Sequence, residues 1–286
     1  MIYLFLTILT NAIIFLLFKW FEKFNVHLLV ALIINYVIAS SVGFMINGGV
    51  PEDWMLKPWF LGSVFTGFLF ISIFYLIALT SQKISPSIAS VSNKMSVAIP
   101  VTVAFILYHD RVTVLKISGI VLAILGIVLV AGNLKLQYEK SWHKFLPVLL
   151  FLSNGFLDSF FNYQEKIWVA PHEIGQFVSS VFFFAFIFGI VGLSGETIRK
   201  KTLPFDLKTV LGGIILGSVN YFSILFLMKS LKFSGFESSV VYPLVNVGIV
   251  LATIMMSMAV FKERFTLRQW VGVSLCIVAI VMITYA

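Results

Sequence analysis

Long apolar runs, each about the length of a bilayer crossing, follow one another down this chain with little between them. A membrane-spanning helix needs about 20 apolar residues. The sequence supplies ten such runs: 1–18, 27–46, 59–79, 86–107, 112–132, 144–163, 172–193, 209–229, 235–260 and 267–286. The longest connections, 47–58, 133–143 and 194–208, leave no room for a soluble domain. In hydrocarbon every backbone polar group must be satisfied internally, so only helices or a closed barrel can cross. The runs are continuous, whereas barrel strands would alternate over segments of about 10 residues. The predicted class is an all-α polytopic membrane protein. Composition agrees: 60% of the residues are hydrophobic and 11% charged, against about 45–50% and about 25% in soluble domains. Disorder, a secreted disulfide scaffold and an ordinary cytosolic enzyme are excluded as leading readings.

The first run has no basic leader and no small-residue cleavage site; Lys19-Trp20-Phe21-Glu22-Lys23 follows it instead. It is expected to stay as a span. The net charge of +8 reflects Lys and Arg at span ends rather than nucleic-acid binding. Connections 1–2, 3–4, 5–6, 7–8 and 9–10 carry 13 basic residues and the alternate connections 6. The positive-inside rule then puts both termini outside. Cys276, the single cysteine, can form no disulfide within the chain and is expected to face lipid or core. Trp54, Trp59, Trp142, Trp168 and Trp270 fall near span ends, as interface anchors do. Pro100 and Pro243 fall inside spans and predict kinks.

The chain also repeats itself. Asn11 and Phe21-Glu22-Lys23-Phe24 match Asn154 and Gln164-Glu165-Lys166-Ile167 at a shift of 143. Tyr108-His109-Asp110-Arg111-Val112-Thr113 matches Phe261-Lys262-Glu263-Arg264-Phe265-Thr266 at a shift of 153, which also carries Asn93 onto Asn246. The predicted repeats are 1–134 and 144–286, joined by a loop over 135–143. Five spans per repeat is an odd number, so the second copy enters from the opposite face. Inverted repeats of this kind suit alternating access around a midplane site.

Each half carries an acidic residue, a Thr and a Gly after its fourth span: Asp110, Thr113 and Gly119, then Glu263, Thr266 and Gly272. Ten spans with this pattern resemble the drug/metabolite transporter superfamily, EamA type, over the whole chain. The resemblance implies two inverted five-helix repeats around a central cavity, and export or exchange of small metabolites, amino acids, sugar conjugates or drugs. It also implies termini inside, opposite to the charge count. The first half departs from the pattern, with Asp110 where Glu is usual and Ser90 opposite Pro243. The small multidrug relatives place a proton-coupling Glu in span one; here span one has no acid.

Charges within spans are costly and point to function. Lys94, Asp158 and Glu237 stand out, Glu237 being close enough to a span start to snorkel. Ser87, Ser90 and Lys94 share one helical face, and Asn154, Asp158, Asn162 and Glu165 form another stripe. Lys94 would anchor an anionic group, and Asp158 would bind an amine or titrate; the alternative is that the two neutralise each other structurally. Asn11, Asn93, Asn154 and Asn246 supply repeat-related hydrogen-bonding positions, with Tyr36, Tyr221, Tyr242 and Gln176 as further lining. Phe182-Phe183-Phe184 is expected to pack rather than to cage a cation. Gly62, Gly67, Gly212, Gly213 and Gly217 permit close helix contact. Spans five and ten, nearly featureless, read as peripheral scaffold.

The function expected is secondary transport, in the export direction, of an amino acid or other small carboxylate or zwitterion, by a monomer in the bacterial inner membrane. The rival within the class is an exporter of lipophilic cations. A membrane enzyme lacks a convergent catalytic set, since His27, His109, His143 and His172 all lie at span edges. A channel lacks a filter loop or charged rings. No cofactor, metal or nucleic acid is expected; the partners are the substrate and the lipid bilayer.

Overall fold

The computed structural model describes residues 2–50, 52–107, 113–131, 141–170, 172–200, 206–233 and 238–285. Among these, all regular structure is helical. The helices are α1 (Ile2–Lys23), α2 (Leu28–Ile46), α3 (Phe60–Lys83), α4 (Pro86–Met95), α5 (Ala98–Leu107), α6 (Val114–Ala131), α7 (Leu146–Trp168), α8 (Ile174–Lys200), α9 (Leu207–Phe233), α10 (Ser238–Phe261) and α11 (Leu267–Thr284). Helices α1, α2, α3, α7, α8 and α9 contain stretches long and apolar enough to cross a membrane, and shorter apolar stretches lie in α6, α10 and α11.

The run at 86–107 departs from expectation. It forms two short helices, α4 and α5, separated at Ser96 and Val97. Pro100 explains where the break falls. It has no N–H to offer the carbonyl of Ser96, four residues earlier, and its ring would clash there. Ile99 N donates to Ser96 O instead, at 2.9 Å, in a tighter turn. At Pro243 the helix does not break: α10 runs through it from Ser238 to Phe261. Replacing Pro100 with Ala should let the helix close across Ser96. The expected result is a rise in thermal stability with a fall in transport, read by unfolding in detergent and by flux in liposomes. A fall in both would assign Pro100 to packing alone.

The chain divides into two compact units. Unit 1 takes Met1–Lys19, Leu76–Ser159 and Phe222–Ala286; unit 2 takes Trp20–Tyr75 and Phe160–Tyr221. Each therefore draws on both halves of the sequence.

Unit 1 is built on the pairing of α6 with α11 and on α4 packed against α10. Its core joins Ile88, Val91 and Met95 of α4, Ala123, Ile127 and Val130 of α6, Val250 and Ile254 of α10, and Val273, Cys276 and Ile280 of α11. Two glycines set the closeness of α6 and α11. A Cβ at Gly126 would lie 3.0 Å from Gly272 O, and one at Gly272 would lie 2.9 Å from Gly126 O. Cys276 is buried at this crossing. The opposite faces, with Val121, Leu125 and Val128 on α6 and Val271, Val278 and Val281 on α11, are exposed and apolar, as a lipid-facing surface would be. The two featureless spans are thus each other's partners.

Unit 2 is built on α2 against α8. Here too glycines allow backbone contact: a Cβ at Gly67 would meet Ala185 N at 2.8 Å, and one at Gly217 would meet the Asn35 backbone at 3.1 Å. Trp54, in a single 3-10 turn before α3, stacks among Phe60, Phe183 and Phe184. Phe182 packs against Tyr36 and Phe70. The phenylalanine run is packing, as its sequence suggested. The tryptophans divide. Trp142 and Trp270 are exposed, but Trp59 is fully buried and Trp54 lies in the aromatic cluster. These two turn inward because their indole N–H groups find partners there, Glu173 Oε2 at 3.0 Å and Ser180 Oγ at 2.8 Å.

Candidate functional site

The break between α4 and α5 lies beside α7 in unit 1, and the polar residues of both elements meet there. Asn154 reaches from α7 to the break. Its Nδ2 donates to Ser96 Oγ at 2.7 Å and to Asp158 Oδ2 at 2.9 Å, and lies 3.4 Å from Asn93 O. The Ser96 hydroxyl is 2.5 Å from Asn93 O and 3.4 Å from Asp158 Oδ2. One proton cannot serve both, so the shorter bond to Asn93 takes it. Asp158 is left with Asn154 as its close donor.

Lys94 occupies the last turn of α4, where the negative end of the helix dipole favours a cation. Among the described residues its ammonium has no hydrogen bond and no direct ion pair, only attraction across a gap to Asp158. Ser90, on the same face a turn earlier, is buried with its hydroxyl unpartnered among the described residues. A partly desolvated cation, a carboxylate that attracts it without a direct ion pair, and the amide and hydroxyl groups gathered at that carboxylate form a site of both signs. Such a site can hold a zwitterion, or one small anion at Lys94.

The structure thus brings together Lys94, Asn93, Asn154 and Asp158 and adds Ser96, which sequence reasoning passed over. The available signal was its place four residues before Pro100. Asn11 and Asn246 also belong to unit 1. Asn11 spends its amide on Thr7 O of its own helix, at 2.9 Å, and Asn246 is half-buried on α10. Tyr36, Tyr221 and Gln176 belong to unit 2. Tyr36 is fully buried and donates to Phe70 O at 3.1 Å. Gln176 Nε2 lies 3.5 Å from Asn47 O, and Tyr221 is half-buried. The side chains of Tyr242, Glu237, Asn162 and Glu165, and all of Asp110, lie outside the described residues.

A second polar cluster, in unit 2, has no counterpart in the sequence reading. Lys57 Nζ pairs with Asp53 Oδ2 and Glu173 Oε1, each at 2.9 Å, and Trp59 donates to the other Glu173 oxygen. This ties the α2–α3 connection to the residue before α8. The Lys57 ammonium, then the Trp59 indole, hold the Glu173 carboxyl below its ordinary value of 4.5. A depressed carboxylate gives stability that is present above its free value and is lost as pH falls through the lowered one. Acidification below about pH 4.5 should therefore lower the melting temperature of the protein, and Glu173→Gln should flatten that part of the profile. Identical acid limbs in both proteins would show the pair to be idle.

A helical, multi-pass membrane protein with a charged, amide-lined break in one helix is the class that fold and site define. Residues 146–285 match the EamA-like transporter family, part of the drug/metabolite transporter superfamily, and that part of the chain belongs to the family. Its members are transporters, and this is a membrane transporter. A protein of Haemophilus influenzae described as uncharacterized is similar along the whole length, at 24% identity over 97% of this chain and 96% of its own.

Proposed function

We propose that this transporter carries a small carboxylate or zwitterion, such as an amino acid, outward across the bacterial inner membrane by alternating access. The observation that carries the reading is the Lys94 ammonium, free of a direct partner among the described residues at the broken end of α4 and facing a carboxylate across a gap. Discontinuous helices whose ends meet substrate charge near the midplane recur in secondary carriers.

Ten crossings in two inverted repeats are supported by which helix ends touch. In unit 1, Lys19 at the end of α1 bonds Gln82 O near the end of α3, and Ser87 at the start of α4 bonds Glu263 between α10 and α11. Thr7 near the start of α1 lies 3.5 Å from Ser230 near the end of α9. In unit 2, His27 N bonds Thr209 between α8 and α9, and Lys57 pairs with Glu173 between α7 and α8. Each pairing joins ends that share a face if every helix crosses once and α4 with α5 counts as one crossing. If α4 and α5 each crossed, Ser87 and Glu263 would lie on opposite faces, as would Lys57 and Glu173. Five crossings per half then invert the second copy.

Counterflow in liposomes tests the function. Labelled amino acids or small carboxylates should enter liposomes preloaded with the same compound and saturate with concentration. Counterflow confined to lipophilic cations would replace this reading with that of a drug exporter. Non-saturating flux would make the protein a channel.

A further inference from the structure

We propose that Glu263 is a proton-binding site of the transport cycle: it holds a proton while the end of unit 1 around α4 is packed, and releases it to water when that end opens. The proposal deepens the functional reading above, because the helix it acts on is the one that carries Lys94.

The geometry is specific. Lys262 adopts a left-handed backbone, with φ of 56°, and turns the chain out of α10. Thr266 and Gln269 close the next helix with a reciprocal capping box. Between them Glu263 is directed at the start of α4. Ser87 Oγ bonds its Oε2 at 2.6 Å. Ser85, which caps α4 by accepting from Ile88 N at 3.1 Å, also acts on the carboxyl, and Ser257 of α10 is buried with its hydroxyl unpartnered among the described residues. Ser85, Ser87 and Ser257 are all buried.

Two influences oppose each other here. Burial disfavours the ionised carboxyl; the serines and the Lys19 charge favour it. Burial is the larger, so the Glu263 carboxyl lies above its ordinary value of 4.5. The sign follows: the packed arrangement is fully stabilised below that ordinary value and loses stability as pH rises through the raised one. Lys19 faces Glu263 from α1. Lys83 ends α3, and Lys262, Arg264 and Arg268 flank Glu263 in its own segment. Among these groups Glu263 is the one carboxyl.

Helix α4 makes this titration matter. It is a ten-residue rod, cut from α5 at Ser96 and Val97, with Glu263 bonded near one end and Lys94 at the other. A proton at one end and a substrate charge at the other act on the same short helix, and such coupling is reciprocal.

Hydrogen exchange of the α4 amides in the full-length protein, from about pH 8 to about pH 5, tests this without any substrate. After correction for the intrinsic pH dependence, exchange should slow as pH falls. The change should be about tenfold for each pH unit separating the proton affinities of the packed and open forms. Glu263→Gln, a neutral side chain that can still accept from Ser87, should remain slow at every pH. Ser87→Ala removes a group that favours the ionised form and should move the midpoint upward. A profile that is flat in the wild type, or unchanged in Glu263→Gln, would overturn the proposal. Failure of carboxylates to bind would leave this profile intact and would count against the functional reading alone.

Discussion

Lys94→Ala loses binding of carboxylate-bearing ligands by at least about 30-fold, the expected result of removing one charge from a desolvated pair. The wild-type protein in detergent should melt at a higher temperature when such a ligand is added, because a ligand that binds only the folded state stabilises it by mass action. In the mutant that shift should vanish at the same ligand concentration. Asp158→Asn separates the two ends of the site. It should spare simple carboxylates and weaken compounds that also carry an amine. Asp158 has Asn154 as its close donor, so a neutral amide at 158 can keep that bond. If carboxylates shift Lys94→Ala as far as wild type, Lys94 does not touch substrate. If lipophilic cations shift both proteins, the site reads cations through Asp158.

The second large effect is on stability. Gly126→Leu or Gly272→Leu should each lower unfolding free energy by about 3 kcal/mol, at the upper end of the usual cost of overpacking. Each glycine faces the other's backbone carbonyl at close to 3 Å, and backbone cannot move aside as a side chain can. In lipid, close backbone approach is a main source of helix association, so separating α6 from α11 weakens the contact on which unit 1 is built. Val128→Leu, on the exposed face of α6, is the control and should leave the melting temperature unchanged. Equal melting of the Gly126 variant and this control would mean that the two helices separate at little cost.

Much of this was legible in the chain itself. Runs of apolar residues set which segments are helical, because length and hydropathy leave the backbone no other arrangement in hydrocarbon. The contrast between polar α4 and α7 and featureless α6 and α11 marked the candidate site off from the helices that pair in the core of unit 1. Lys94 and Asp158 were visible because an intramembrane charge has few structural uses. Other features depended on partners distant in sequence. Ser96 looked like any hydroxyl until Pro100 broke the helix beside Asn154. Gly126 drew no attention until it met Gly272. Tyr36, a plausible pocket residue by type, is enclosed by Phe74 and Phe182 with its hydroxyl on Phe70. Trp59 turned inward because Glu173, 114 residues away, accepts its N–H. Hydropathy is a property of each segment and is written locally. Which hydroxyl meets which carboxylate, and which glycine meets which carbonyl, is set by the facing of packed helices, and that is decided only when the whole chain has folded.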